Sequence, residues 1–334
     1  MEEFNCPDEP QEDYPRGYPI MDVIKNWNPN NVSFIPPNIF LSTCRFDYQH
    51  ELEKATTYQE AEKPFILYNI PSLDEVVQRW SKPVYVDKML GGNRKYVAEH
   101  STSNHFMYFS INAEPGTTKN TTDSKGNAVV WSPPTESVDL SYREWLKLAK
   151  SLAQGGRKDL AEEEHWYFRV DDTDNSVIRD ELKIFQQPDK RNFTKGNIFL
   201  KKPEGDGIHC RFGMPGVIAE PHYDGSRNMV ALVSGARRWI MAHPNQCSSM
   251  YLLPPEHPSG RHSEVDWGEP DLHKFPNFPD ILVSEILLRA GEVLYVPTYW
   301  FHYIINIGVN AQCNSRSGVS TEYKPFIDAC GFGS

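Results

Sequence analysis

No stretch of this 334-residue chain stays apolar long enough to span a bilayer as a helix, so a membrane partner is not expected. Basic charge is scarce too. Lys and Arg number 34 against 45 Asp and Glu, and the net charge of −11 speaks against a protein that coats nucleic acid. A phosphate-binding loop is missing: Gly213-Met214-Pro215-Gly216 leads into a strand pattern, not into a helix N-terminus with free N–H donors. Phosphoryl transfer is disfavoured for that reason. The six cysteines (Cys6, Cys44, Cys210, Cys247, Cys313 and Cys330) are scattered without Cys-x-x-Cys spacing. That excludes a zinc ribbon and gives no sign of a disulfide scaffold or a cysteine nucleophile. The expectation is reduced thiols in an intracellular setting, cytoplasmic or nuclear. The first residues, Met1-Glu2-Glu3-Phe4-Asn5, are acidic and suit neither a secretory signal nor a transit peptide. Residues 1–32 are expected to be a disordered arm.

Aromatic residues and proline, by contrast, are plentiful: Phe 17, Tyr 16, Trp 8 and Pro 26. That balance suits many short strands separated by turns. Residues 33–165 are expected to hold mixed α/β elements that pack on a barrel. Among them, Val84-Tyr85-Val86 is predicted to be a strand and 113–137 a long loop. The clearest helix runs over 141–152, where Ser141 and Glu144 form a capping box and Trp145, Leu148 and Leu152 share a face. From Trp166 to about residue 320 the chain becomes a succession of short extended runs, one of them at 196–201, and 321–334 is a tail. The predicted fold is all-β at its core with flanking helices, a double-stranded β-helix or jelly roll.

Within that region, Pro221-His222-Tyr223-Asp224 places an imidazole and a carboxylate two residues apart. On a strand both project from one face, while Tyr223 points away. A second imidazole, His302, follows Gly291-Glu292-Val293-Leu294-Tyr295-Val296-Pro297-Thr298-Tyr299-Trp300-Phe301. Two histidines and one carboxylate form the facial set that holds Fe(II) and leaves three coordination positions open. Arg237 and Arg238 open a strand near the one that carries His222, and alternation lets only one of them face the barrel interior. Arg237 is favoured, as a guanidinium that would pair with a dicarboxylate. Tyr167, Asn228 and Asn314 are further donors. The other histidines, His165, His209, His243, His257, His262 and His273, are structural or surface groups by default.

Taken together, Gly213-Met214-Pro215-Gly216, Pro221-His222-Tyr223-Asp224, Asn228, Gly235-x-Arg237-x-Trp239 and Gly291-x-Val293-Leu294-Tyr295-Val296-Pro297-x-Tyr299-Trp300-x-His302 resemble the JmjC-type (cupin) Fe(II)/2-oxoglutarate-dependent dioxygenases. The likeness runs over roughly 60–318 and leans toward the asparaginyl-hydroxylase branch that acts on hypoxia-inducible factor. It implies iron ligands His222, Asp224 and His302, with Arg237, Tyr167, Asn228 and Asn314 around the cosubstrate 2-oxoglutarate. Arg261 and His262 fall where that branch contacts its peptide. The implied activity is a hydroxylase that consumes dioxygen through a ferryl oxidant. A protein or peptide side chain is the first expected substrate, and a small molecule, a modified RNA base or an N-methyl group is the alternative. A non-enzymatic cupin that only binds a partner is the rival class. The chain departs from the pattern in having Arg237 for the usual Lys, Ala219 for a Thr and His262 for a Gln.

Overall fold

The structure is a computed structural model that describes residues 6–26, 39–110, 118–154, 163–186, 197–200 and 207–333. In chain order its strands are β1 (Tyr18–Pro19), β2 (Arg45–Asp47), β3 (Phe65–Tyr68), β4 (Lys95–Ser101), β5 (His105–Phe106), β6 (Lys119–Thr122), β7 (Ala128–Trp131) and β8 (Glu136–Ser141). There follow β9 (His165–Asp171), β10 (His209–Gly213), β11 (Ile218–Tyr223), β12 (Asn228–Ala242), β13 (Leu282–Arg289), β14 (Val293–Val296) and β15 (Phe301–Arg316).

Two long strands organise the barrel. β12 and β15 pair antiparallel from Asn228↔Arg316 to Ala242↔Phe301. Each of them changes neighbours half way: β12 pairs β14 through Asn228–Ala231 and β13 through Ala236–Ala242, while β15 pairs β11 and then β10. The switch coincides with register breaks between Leu232 and Ala236. Gly235 sits there at φ +73°, and a Cβ on it would meet the Val309 carbonyl oxygen at 2.7 Å. Only glycine fits this bend, which lets one strand serve both walls of a jelly roll. The sheet continues from β10 through β9 and β4 to β8, so Tyr167, Arg211 and the end of β15 share one wall.

The helix Tyr142–Gln154 covers that wall and buries Tyr142, Trp145, Ala149 and Leu152. Its capping box forms as the sequence predicts: the Ser141 backbone N–H donates to the Glu144 carboxylate and the Glu144 N–H to the Ser141 hydroxyl. Trp145 and Phe168 lie with ring centroids 5.8 Å apart, and burial of such large rings is worth ~2 kcal/mol or more apiece.

Several expectations give way to packing. Residues 6–26 are not a free arm. Tyr18 and Pro19 pair with Val283 and Leu282, and Ile20, Val23 and Ile24 of the following helix are buried. The sequence hides this because a two-residue strand and a six-residue helix carry no readable period. Val84, Tyr85 and Val86 belong to a helix, Pro83–Met89, started by proline at its first position; only Val86 is buried. The expected loop 113–137 contains the β6–β7 hairpin, and residues 197–200 form a turn instead of a strand. In the tail, Lys324–Ile327 is helical and buries Ile327.

The cysteine reading is overturned outright. All six pair, as Cys6–Cys44, Cys210–Cys313 and Cys247–Cys330. Separations of 38, 103 and 83 residues have no sequence signature, since it is the fold that brings these thiols together. Cys210 and Cys313, for instance, are direct partners in the β10–β15 ladder. Disulfides belong to oxidising surroundings, so the pairing removes the argument for a reducing one. Among the described residues no helix is long and apolar enough to cross a membrane.

Candidate metal centre and cosubstrate cavity

β11 delivers His222 and, just past its end, Asp224; β15 delivers His302 directly opposite, in the register pair His222↔His302. One ligand atom from each of the three lies within 4.8 Å of the others. Orientation is fixed from behind. His222 Nδ1 donates to the Glu220 carbonyl at 2.7 Å and His302 Nδ1 to the Trp300 carbonyl at 3.0 Å. Each ring therefore keeps its proton on Nδ1 and turns the Nε2 lone pair inward, the tautomer a metal requires.

Electrostatics agree with that arrangement. Burial, followed by the neighbouring His302, pushes His222 down to about 3, and burial also lowers His302. Both rings are neutral at physiological pH. Asp224 is also buried, which alone would raise its pKa, but Arg316, His302 and His222 outweigh burial and hold it well below the usual carboxylate range. Arg316 donates to one Asp224 oxygen at 2.7 Å and the Asn228 amide to the other at 3.0 Å. Asn314 in turn donates to Asn228 at 2.9 Å, so the two asparagines form a relay that sets the carboxylate plane. Two neutral imidazoles and an ionised carboxylate suit a divalent ion such as Fe(II).

The triad opens into a cavity of about 380 Å³, a size typical of small-molecule sites. Tyr167, Asn228, Asn314, Arg261 and His262 all line it, as does Ala219. Arg237 does not. It is the one of the arginine pair that points inward, but it lies one layer back and is fully buried. Its three nitrogens donate to Asn310 at 2.6 Å, to the Tyr167 hydroxyl at 2.9 Å and to the Arg211 carbonyl at 3.0 Å. Arg238 takes the opposite face and forms a buried ion pair with Glu285. His262 is held by an antiparallel bridge to His222, with ring centroids 4.9 Å apart. Burial and its cationic neighbourhood push His262 down to about 3. The residue before it, Arg261, adopts φ +73°, which costs an L side chain about 1–2 kcal/mol. Its guanidinium lies 5.9 Å from the centre of the Tyr223 ring.

Among the further lining residues that the sequence reading does not nominate are Arg169, Arg211, Gln312 and Arg316. For Arg169, Gln312 and Arg316 the signal is present as simple alternation. Arg169 stands two residues from Tyr167, and Gln312 and Arg316 flank Asn314 at the same spacing, so reading each strand with period two from a nominated residue finds them. Arg211 lies beside Arg169 and Gln312 in the ladder and is visible only once the register is known.

The cupin-like domain family matches residues 51–315 of the chain. Similar proteins include the tRNA wybutosine-synthesizing protein 5 of Mus musculus, 31% identical over 172 residues, which cover 49% of this chain and 52% of that one. Lysine-specific demethylase 8 of Xenopus tropicalis is 34% identical over 99 residues, covering 29% of this chain and 22% of the other. Lysine-specific demethylase JMJ31 of Arabidopsis thaliana is 32% identical over 85 residues, 25% and 16% of the two chains. The chain thus spans about half the length, or less, of these relatives. Their names speak of tRNA modification and lysine demethylation, not of asparaginyl hydroxylation. With a jelly roll, an inward-facing His-x-Asp…His set and a family match over most of its length, the chain belongs to the cupin-like domain family.

Proposed function

We propose that the protein is an Fe(II)- and 2-oxoglutarate-dependent oxygenase that hydroxylates a base of RNA. The observation that carries the chemistry is the convergence of His222, Asp224 and His302, with both histidine Nδ1 protons tied back to carbonyls, at the floor of a cation-lined cavity. When bound, iron with 2-oxoglutarate and dioxygen supplies oxidation of an unactivated C–H bond to an alcohol, coupled to conversion of the cosubstrate to succinate and carbon dioxide.

The chain's own residues do the positioning. Asn228 and Asn314 hold the Asp224 carboxylate in one plane, and Arg316 neutralises the oxygen turned away from the histidines. Tyr167 accepts a hydrogen bond from Arg237, which commits its own proton to an acceptor inside the cavity. Arg237 thereby acts on the cosubstrate through Tyr167. Trp239, Ile304 and Phe106 line the same space and keep water from the reacting centre. Arg261 and His262 stand beside His222, where the C–H donor must enter.

An RNA base is favoured because the relatives named for wybutosine synthesis match up to 49% of the chain, and because Arg169, Arg211, Arg261 and Arg316 line a cavity to which, among the described residues, Glu99 and Asp224 contribute the only carboxylates. The net charge of −11 opposes a nucleic-acid coat but not a single base drawn into a cationic pocket. A protein side chain, hydroxylated as in the asparaginyl branch or demethylated at an N-methyl group, is the second reading, favoured by the demethylase relatives.

The test joins two measurements. Protein with Fe(II) and 2-oxoglutarate should develop a charge-transfer band without oxygen and release succinate with it, both absent in His222→Ala. Nucleosides from tRNA of cells that lack the protein should then lose a one-oxygen mass gain present in the parent. A gain lost from peptides and not from nucleosides would reverse the choice of substrate, and a parent no more active than His222→Ala would refute the oxygenase.

A further inference from the structure

We propose that the Cys247–Cys330 disulfide is a redox latch: it holds the tail against Tyr223, and Tyr223 sets Arg261 at the mouth of the cavity. The latch rests on contacts of the fold alone. What it governs, entry of the C–H donor past Arg261, rests on the oxygenase reading above.

Tyr223 stands between His222 and Asp224 but does not line the cavity; it belongs to the buried cluster that includes Ile240, Phe301 and Ile327. Arg261 does line the cavity, and its guanidinium reaches Tyr223 twice. Nη1 makes a long hydrogen bond to the Tyr223 carbonyl at 3.4 Å, and the group lies 5.9 Å from the ring centre. Among the described residues no carboxylate pairs with Arg261, so Tyr223 is what locates it. From the tail, Phe332 meets the same ring edge-on, with centroids 5.8 Å apart. One aromatic side chain thus joins the tail to a residue of the cavity mouth. Tyr223 is a positioning residue in this scheme, since it acts through Arg261.

Little besides the disulfide holds the tail down. Tyr323 is anchored, its hydroxyl donating to the Glu62 carbonyl at 2.9 Å, but beyond it only Ile327 is buried. The helix Lys324–Ile327 is four residues long, too short to persist alone. Its hydrogen bonds run to Thr321 and Tyr323 just before it or to Asp328 just after. Few buried contacts and local bonding mark a segment that opens by itself once released. Access favours this bond as well. Cys330 is partly exposed, whereas the other five cysteines are at most 8% exposed. The thiolate of a dithiol reductant attacks Cys330 and expels Cys247 as a thiolate, which takes up a proton. The second thiol of the reductant then closes its own disulfide and releases Cys330 as a thiol. Two electrons pass from the dithiol to the Cys247–Cys330 bond, and its two protons end on the two freed sulfurs.

The order of reduction is read with graded dithiothreitol, followed by alkylation and mass spectrometry. Cys247 and Cys330 should label together, at about 10-fold less reductant than the other four cysteines. The consequence is read by hydrogen–deuterium exchange on the full chain, without iron or 2-oxo acid. Protein reduced at Cys247–Cys330 alone, and Cys330→Ser, should exchange about 10-fold faster over 324–330 and over 259–263, while β12 stays protected. Reduced wild type carries the comparison if Cys330→Ser does not fold. Phe332→Ala keeps the disulfide but removes the ring from Tyr223, so it should speed 259–263 and leave 324–330 slow. Another pair reduced first, or a tail no faster once Cys247–Cys330 is open, overturns the latch. Unchanged exchange at 259–263 in either the reduced protein or Phe332→Ala overturns the path through Tyr223. Both results leave the oxygenase reading intact, because its assay runs on the oxidised protein.

Discussion

His262 offers a way to weigh the site without replacing a candidate metal ligand. It is 2% exposed, its Nδ1 donates to the Ser259 carbonyl at 3.1 Å, and burial with the adjoining His222 and Arg261 pushes it down to about 3. An unfolded chain takes up a proton at this position near the ordinary histidine value of ~6.5, while the folded one refuses it until about pH 3. A pKa depressed by folding contributes stability that is fully present above ~6.5 and is lost as pH falls through that value toward 3. Between pH 7.5 and 5.0 this one ring should remove about 2 kcal/mol, at roughly 1.4 kcal/mol per unit below 6.5. Glutamine keeps the size and a donor but cannot titrate. Urea unfolding of metal-free wild type and His262→Gln at the two pH values, with equal m-values, should show the variant losing about 2 kcal/mol less. Equal losses in both proteins would mean that His262 is not held neutral by its surroundings, and the account of the cavity's electrostatics would fail.

Other consequences are quickly checked. Arg238→Ala should destabilise the protein by about 3–5 kcal/mol, since it strands buried Glu285, whereas replacing both partners by leucine should cost much less; urea midpoints separate the two cases. Asn228→Ala breaks the relay behind Asp224 and should weaken divalent metal binding about 10- to 100-fold, read by competition with a chelating dye, with little change in melting temperature. With all six cysteines paired, folded protein prepared without reductant should take up no alkylating reagent after denaturation, and up to six equivalents once reduced. Cys247→Ser should release the tail helix from its anchor and lower stability by about 4 kcal/mol on a chain-entropy argument, measurable by urea unfolding.

The barrel was legible because its information is local. Alternation along 217–224 and 301–306 sets which side chains face inward, and the capping box at Ser141 and Glu144 marks its helix from four residues. Parity likewise lets only one of Arg237 and Arg238 face inward; which one depends on the register of the preceding turn, and the structure turns Arg237 inward. What alternation cannot supply is depth. Arg237 points inward yet does not line the cavity: its guanidinium donates to the hydroxyl of Tyr167, which does, and that neighbour is set only after distant strands pair. The disulfides and the packed segment 6–26 were hidden for the same reason: each depends on partners 38 to 103 residues away or more. Period-two reading would have reached Arg169, Gln312 and Arg316, but Arg211 needed the ladder.

β15 carries His302 near its start, Asn314 and Arg316 at its end, and Gln312 between them. Candidate metal ligand, cavity wall and the clamp on Asp224 are therefore graduations on a single ruler, sixteen residues long. A one-residue insertion between two of those groups would turn the ones on one side of it away from the cavity, while the loop that presents Arg261 and His262 lies off the ruler. On the proposed function, changes of substrate can accumulate in that loop without altering the order of the groups on β15, whereas those groups can change only by substitution in place.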